Sequence, residues 1–136
     1  MAWGLNLNNS FAFVARLLLA FIFLQAGVRQ IIGFQGVSAM MTATGFPIAE
    51  AFLVAAITLD IVGGLMLVTN WNAKYAALSL AIYTFALAVI FHGFWNFFSV
   101  PTAEFNNQYG HFMKNLSIVG GLLVVASQSK SAKSGI

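Results

Sequence analysis

Residues 47–69 read PIAEAFLVAAITLDIVGGLMLVT. An α-helix needs roughly 20 mostly apolar residues to cross the hydrocarbon core of a bilayer. This run reaches that length, with Glu50 near one end and Asp60 near its middle. A charge at the bilayer centre costs about 2.5–3.5 kcal/mol on insertion scales, so Asp60 is expected to face protein, water or a counter-ion. One helical turn away stand Ala56, Ile57, Gly63 and Gly64. Small side chains let a second helix approach closely, which suits an inward face.

Working outward, three more runs qualify as spans. The first covers about residues 11–32, behind the cap candidates Asn9 and Ser10. The stretch quoted above is the second, with Pro47 placed in the tolerated first turn. The third covers about 73–97 behind Asn72, read as its N-cap. The fourth covers about 109–127, followed by a Lys- and Ser-rich tail, 128–136, expected to be mobile. Residues 33–45 carry Val37, Met40, Met41 and Thr44 at helical spacing, which predicts a short amphipathic helix in the interface. Residues 98–108 read as a polar loop. The fold class is therefore all-α: one transmembrane four-helix bundle over 1–136, with a short interfacial helix between the first and second spans. A membrane barrel would need many more strands than this length supplies.

Composition agrees. Hydrophobic residues make up 60% of the 136 and charged residues 7%, against about 25% charged in a soluble domain. The apolar surface must therefore meet lipid. The net charge of +3 is spread over scattered basic residues, so nucleic-acid binding is not expected. There are no cysteines, which excludes thiol nucleophiles, disulfides and iron–sulfur ligation. Residues 1–10 contain no Lys or Arg, and no A-x-A-like site follows. The first run is therefore expected to stay in the mature chain. Lys74, Lys130 and Lys133 share one side of a four-span topology. The positive-inside rule then predicts both termini cytoplasmic, with Arg29 as the dissenting charge.

The chemistry-bearing residues form two groups. Near the midplane, Asp60 reads either as a structural ion pair with Arg16, or as a neutral acid, or as a proton- or ligand-handling group. Arg16 reads equally as a snorkelling side chain. Toward the outer side, Gln25 and Arg29 stand at i, i+4. His92, Trp95 and Asn96 share a face at the end of the third span, and His111, Lys114 and Asn115 share an arc at the start of the fourth. These polar residues make a candidate pocket or ordinary interfacial solvation. The run Phe91, Phe94, Trp95, Phe97 and Phe98 reads as an aromatic belt or as the wall of a site for a flat ring. A metal site from His92, His111 and Glu104 lacks a tight ligand motif. Neither metal, haem nor iron–sulfur cofactor is expected.

The stretch from about Phe13 to Val125 resembles the DoxX family of small four-helix membrane proteins. The likeness rests on ARLLLAFIFLQAG (Ala15 to Gly27) followed by Arg29, LDIVGGLMLV (Leu59 to Val68), FHGFWNF (Phe91 to Phe97) and HFMKNLSIVGGLLVVA (His111 to Ala126). The family is named for a small subunit of a thiosulfate:quinone oxidoreductase. The resemblance implies a membrane redox setting with quinone, in a bacterial or archaeal cytoplasmic (inner) membrane. It also implies recurrent polar positions at Arg16, Arg29, Asp60, His92, His111, Lys114 and Asn115. Asp60 stands where a Glu is common, a shorter reach.

Three functions follow as expectations. The first is a redox-associated subunit that binds a quinone near the outer interface. Asp60, His92 and His111 would then be its working groups, and Arg16, Arg29, Trp95, Asn96, Lys114 and Asn115 its ligand-binding ones. A protein partner would supply electrons, because no donor is evident in the chain. The second is a non-catalytic scaffold or assembly subunit. The third is a small transporter, for which four helices require oligomerisation. Pairs such as Ala51/Ala55, Ala77/Ala81 and Ser117/Gly121 permit helix association within or between chains.

Overall fold

The computed structural model describes residues 7–97 and 102–128. They form α1 (Leu7–Ile32), α2 (Phe34–Ala43), α3 (Ala49–Thr69), α4 (Ala73–Phe91), a 3-10 turn (Phe94–Phe97) and α5 (Thr102–Gln128). There is no strand among the described residues. Four helices are long and apolar enough to cross a membrane. α1 packs chiefly on α3, and α4 on α5; contacts of α3 with α4 and of α1 with α5 close the ring. α2, as the spacing predicted, is a separate short helix, and it lies against α3.

The core is built mostly from small residues. Ala73, Ala76, Ala77, Leu80 and Ala81 of α4 meet Ala20 and Phe23 of α1, Leu67 of α3, and Leu122, Val125 and Ala126 of α5. Small side chains bring the backbones close, which maximises dispersion where lipid gives no hydrophobic drive to associate. The closest approaches use glycine. A Cβ at Gly64 would lie 2.7 Å from Leu24, and one at Gly63 would lie 3.0 Å from Leu80. A second cluster, Met41, Ala49 and Leu53, pins α2 to the start of α3. Large apolar side chains point outward from every long helix: Leu18, Phe21, Phe52, Ile82, Ile90 and Val124 are all exposed. A helix apolar on all faces but buried on only one is a helix with lipid around it.

Several boundaries differ from the sequence reading. Asn9 and Ser10 lie inside α1, which starts at Leu7, so neither caps it. Pro47 lies outside α3, because Ile48 holds a left-handed conformation (φ 49°) at the N-cap. Asn72 does occupy the N-cap of α4, but in left-handed geometry (φ 48°) and without a side-chain hydrogen bond. The reason is the three-residue connection 70–72. It reverses the chain with left-handed residues at both ends, Asn70 (φ 58°) and Asn72, a conformation Asn tolerates. α4 stops at Phe91, short of residue 97. α5 begins at Thr102, so most of the expected loop 98–108 is helical. Hydropathy measures the thickness of the apolar slab, whereas a helix can run on past it, here with Glu104 favourably in the first turn. The tail 129–136, with Lys130 and Lys133, lies outside the described residues.

Candidate functional site

The end of α4 and the first turns of α5 build one polar and aromatic cluster. His92 is the C-cap of α4, its backbone N–H donating to the Ala88 carbonyl at 3.0 Å. Gly93 then lets the chain fold into the 3-10 turn, since a Cβ there would lie 2.9 Å from the Trp95 ring. On α5, Glu104 and Gln108 are one turn apart, and Gln108 Nε2 donates to Glu104 Oε1 at 3.0 Å. That leaves Gln108 Oε1 facing His92 Nδ1, also at 3.0 Å. An amide oxygen only accepts, so His92 carries a proton on Nδ1. In the neutral ring, Nε2 then remains an acceptor. His111, a further turn along α5, stacks on His92 with ring centroids 4.8 Å apart and planes 24° off parallel.

At the same end of the bundle, aromatic rings from the 3-10 turn and α5 pack on one another around Phe94. Phe94 makes edge contacts with Trp95 (5.3 Å), Phe105 (5.8 Å), Tyr109 (5.1 Å) and Phe112 (5.3 Å). Trp95 also meets Phe112 at 5.6 Å. Trp95 and Tyr109 remain 41% and 44% exposed, so each offers ring surface to a guest. Lys114, exposed, and Asn115, half-buried, follow one turn after His111.

The second constellation lies deeper. Asp60 is 1% exposed. Tyr83 Oη of α4 donates to its Oδ2 at 3.3 Å. The Gln30 side chain of α1 is within hydrogen-bonding reach of both Asp60 and Tyr83. Gly27, one turn before Gln30, makes this possible: a Cβ there would lie 3.3 Å from Asp60 Cβ and 2.5 Å from Ile61. Tyr83 and His92 are nine residues apart on the α4 path, roughly 13 Å at the helical rise, so the two constellations are separate.

The structure thus stacks His92 on His111, packs Trp95 on Phe94 and Phe112, and leaves other expected residues apart. His92, Trp95 and Asn96 do not share an α-helical face, because the helix ends at Phe91. Arg16 does not pair with Asp60; its Nε donates to the Leu67 carbonyl at 3.1 Å, where it satisfies an end carbonyl of α3. Its guanidinium also sits 5.9 Å from the Phe13 ring centre. Arg29 is exposed at the end of α1, and Gln25 bonds back to the Ile22 carbonyl. No group of three or more His, Asp or Glu converges among the described residues; Gln108 stands between Glu104 and His92. Sequence reasoning missed Gln30, Tyr83, Thr84 and Gln108. Gln30 had a signal, falling on the Phe23–Gly27–Gln30 stripe at helical spacing. Tyr83 and Thr84 break an otherwise apolar run, and Gln108 follows Glu104 at i+4.

Taken together, four apolar spans around buried polar groups define a small multi-pass membrane protein. Residues 11–93 match the DoxX family model, and the chain belongs to that family. It is 36% identical over 121 residues to inner membrane protein YqjF of Escherichia coli K12, covering 89% of this chain and 85% of the relative. Inner membrane protein YphA of the same organism is 27% identical over 113 residues, 83% of this chain and 79% of the relative. No solved structure matches. With its four spans, the chain is a multi-pass inner-membrane protein.

Proposed function

We propose that this protein is a redox-associated membrane subunit that holds a quinone, or a similar flat apolar ring, where α4 ends and α5 begins. The observation that carries the reading is the stacked His92–His111 pair, oriented through Gln108, at the same end of the bundle as the Phe94 cluster with its part-exposed Trp95 and Tyr109 rings. Aromatic faces take a flat ring, while the histidines take its polar edge. His111 N–H donates to a ring oxygen, and His92 Nε2 accepts from a ring hydroxyl. Lys114 places a positive charge one turn along α5, where it favours developing negative charge. The quinone supplies the two-electron chemistry, and a partner subunit supplies the electrons. Isolated protein therefore retains the ring and turns nothing over. In this reading both termini are cytoplasmic and the site lies on the outer side, which reporter fusions at the C-terminus would test.

One observation favours a scaffold instead: Phe94 and its neighbours already fill one another's edges, and such a cluster also serves to lock α5 against α4. The two readings part on purification in mild detergent, organic extraction and mass spectrometry. A stoichiometric quinone lost in His92→Ala/His111→Ala, with folding retained, supports the redox subunit. A folded wild type without any bound ring would leave the scaffold.

A further inference from the structure

The Asp60 constellation holds more oxygen than its hydrogen bonds use. Gln30 Oε1 and Thr84 Oγ1 are both fully buried and have no hydrogen-bond partner. Thr84 itself is 5% exposed. Its behaviour is distinctive, because Thr42, Thr58 and Thr69 each bond back to a carbonyl of their own helix. Thr84 leaves its hydroxyl in the bundle interior, where an unmet polar atom is costly.

Register places these groups together. Leu80 of α4 sits on Gly63 of α3. One turn farther from the connection 70–72, α4 presents Tyr83 and Thr84 and α3 presents Asp60, and the Tyr83–Asp60 hydrogen bond shows the two turns level. Gln30 reaches the same carboxylate from α1. Asp60 and Tyr83 thus meet directly, Gln30 approaches them from α1, and helix register puts the unpartnered Thr84 within a turn of the same level.

The charge account asks for a guest. A buried carboxyl group takes up either a proton or a counter-charge. Arg16 is spent on the Leu67 carbonyl, seven residues from Asp60 along α3, or roughly 10 Å at the helical rise. Arg29 is exposed. The available donors are hard oxygens, which suit hard cations, and a single carboxylate balances a single positive charge. Gly27 lets α1 pack directly against Asp60 and Ile61. We infer that Asp60, Gln30, Thr84 and Tyr83 bind a small monovalent cation, of the sodium class, between α1, α3 and α4. This site stands independently of the ring-binding reading.

The test is thermal unfolding of the detergent-solubilised protein at constant pH and ionic strength, with choline chloride replaced by sodium or potassium chloride. A ligand that binds only the folded state raises Tm with its concentration. The expected result is a saturable rise of a few degrees in sodium, smaller in potassium, with broadening of the 23Na resonance. Thr84→Val, close to isosteric, and Asp60→Asn lose both effects. Thr58→Val, whose hydroxyl is tied to its own helix, keeps them. Equal responses to the three salts would overturn the inference, as would a sodium response that persists in Thr84→Val. A response to pH alone, with none to sodium, would also overturn it by making a proton the counter-charge.

Discussion

At the scale of single residues, glycine carries opposite meanings at two positions. Gly27 is the point where α1 closes on α3, and an added methyl would meet Ile61 at 2.5 Å and Asp60 Cβ at 3.3 Å. Nothing lies within 4 Å of a Cβ at Gly120 on α5. Gly27→Ala is therefore expected to destabilise by about 1–3 kcal/mol through overpacking. Gly120→Ala is expected to be neutral or to stabilise by up to about 1 kcal/mol through helix propensity. Thermal unfolding in one detergent, read side by side, checks both signs. Neither outcome could be read from the sequence, since it does not say which glycine another helix approaches. Asp60 was different. A carboxylic acid amid LDIVGG has so few tolerable surroundings in lipid that its burial was legible from position alone. Its partners were not, because Gln30 and Tyr83 reach it from helices 30 and 23 residues distant in the chain.

At the scale of elements, the tight connection between α3 and α4 shows how one residue type serves two purposes. Asn before an apolar run reads as an N-cap, yet Asn72 stands there for its left-handed backbone. The two roles predict different substitutions. Asn72→Ser would keep a side-chain cap but fits the left-handed region poorly, so it is expected to lose about 1 kcal/mol or more. Asn72→Gly is expected to be neutral or better. If Ser were tolerated and Gly not, the cap would be the true role; chemical or thermal unfolding of the two variants decides it. The same scale explains the candidate site. His92, Trp95 and Asn96 were placed on one helical face because spacing was extended past the real helix end. The break at His92–Gly93 turns Trp95 back toward Phe112 instead. Meanwhile α5 starts early enough to bring Gln108, itself bonded to Glu104, into reach of His92.

For the whole molecule, the decisive property is the apolar exterior. Ile82, near the middle of α4, is 73% exposed. In a protein surrounded by water such a position would accept a charge with little effect. In a membrane, Ile82→Lys is expected to cost about 2.5–3.5 kcal/mol on insertion scales, and the amount of folded protein in the membrane fraction should fall sharply. Unchanged membrane yield would contradict the lipid-facing assignment.

By itself the sequence determined the solvent, the number of spans, the short helix after the first span and the family. The first three follow from composition and local periodicity, since bilayer thickness alone sets how long an apolar run must be, and the family resemblance rests on four short motifs in order. It also marked Asp60, His92 and His111 as unusual. Only the tertiary structure decided which polar groups meet. It sent Arg16 to the Leu67 carbonyl rather than to Asp60 and stacked His92 on His111. It also separated the midplane oxygens from the aromatic end of the bundle. The physical reason is that partner choice depends on helix rotation and register. In this bundle those are set by close contacts at Gly27, Gly63 and Gly64 and by the left-handed turn at Asn70 and Asn72; helical spacing marks the inward face of a helix but not which helix meets it.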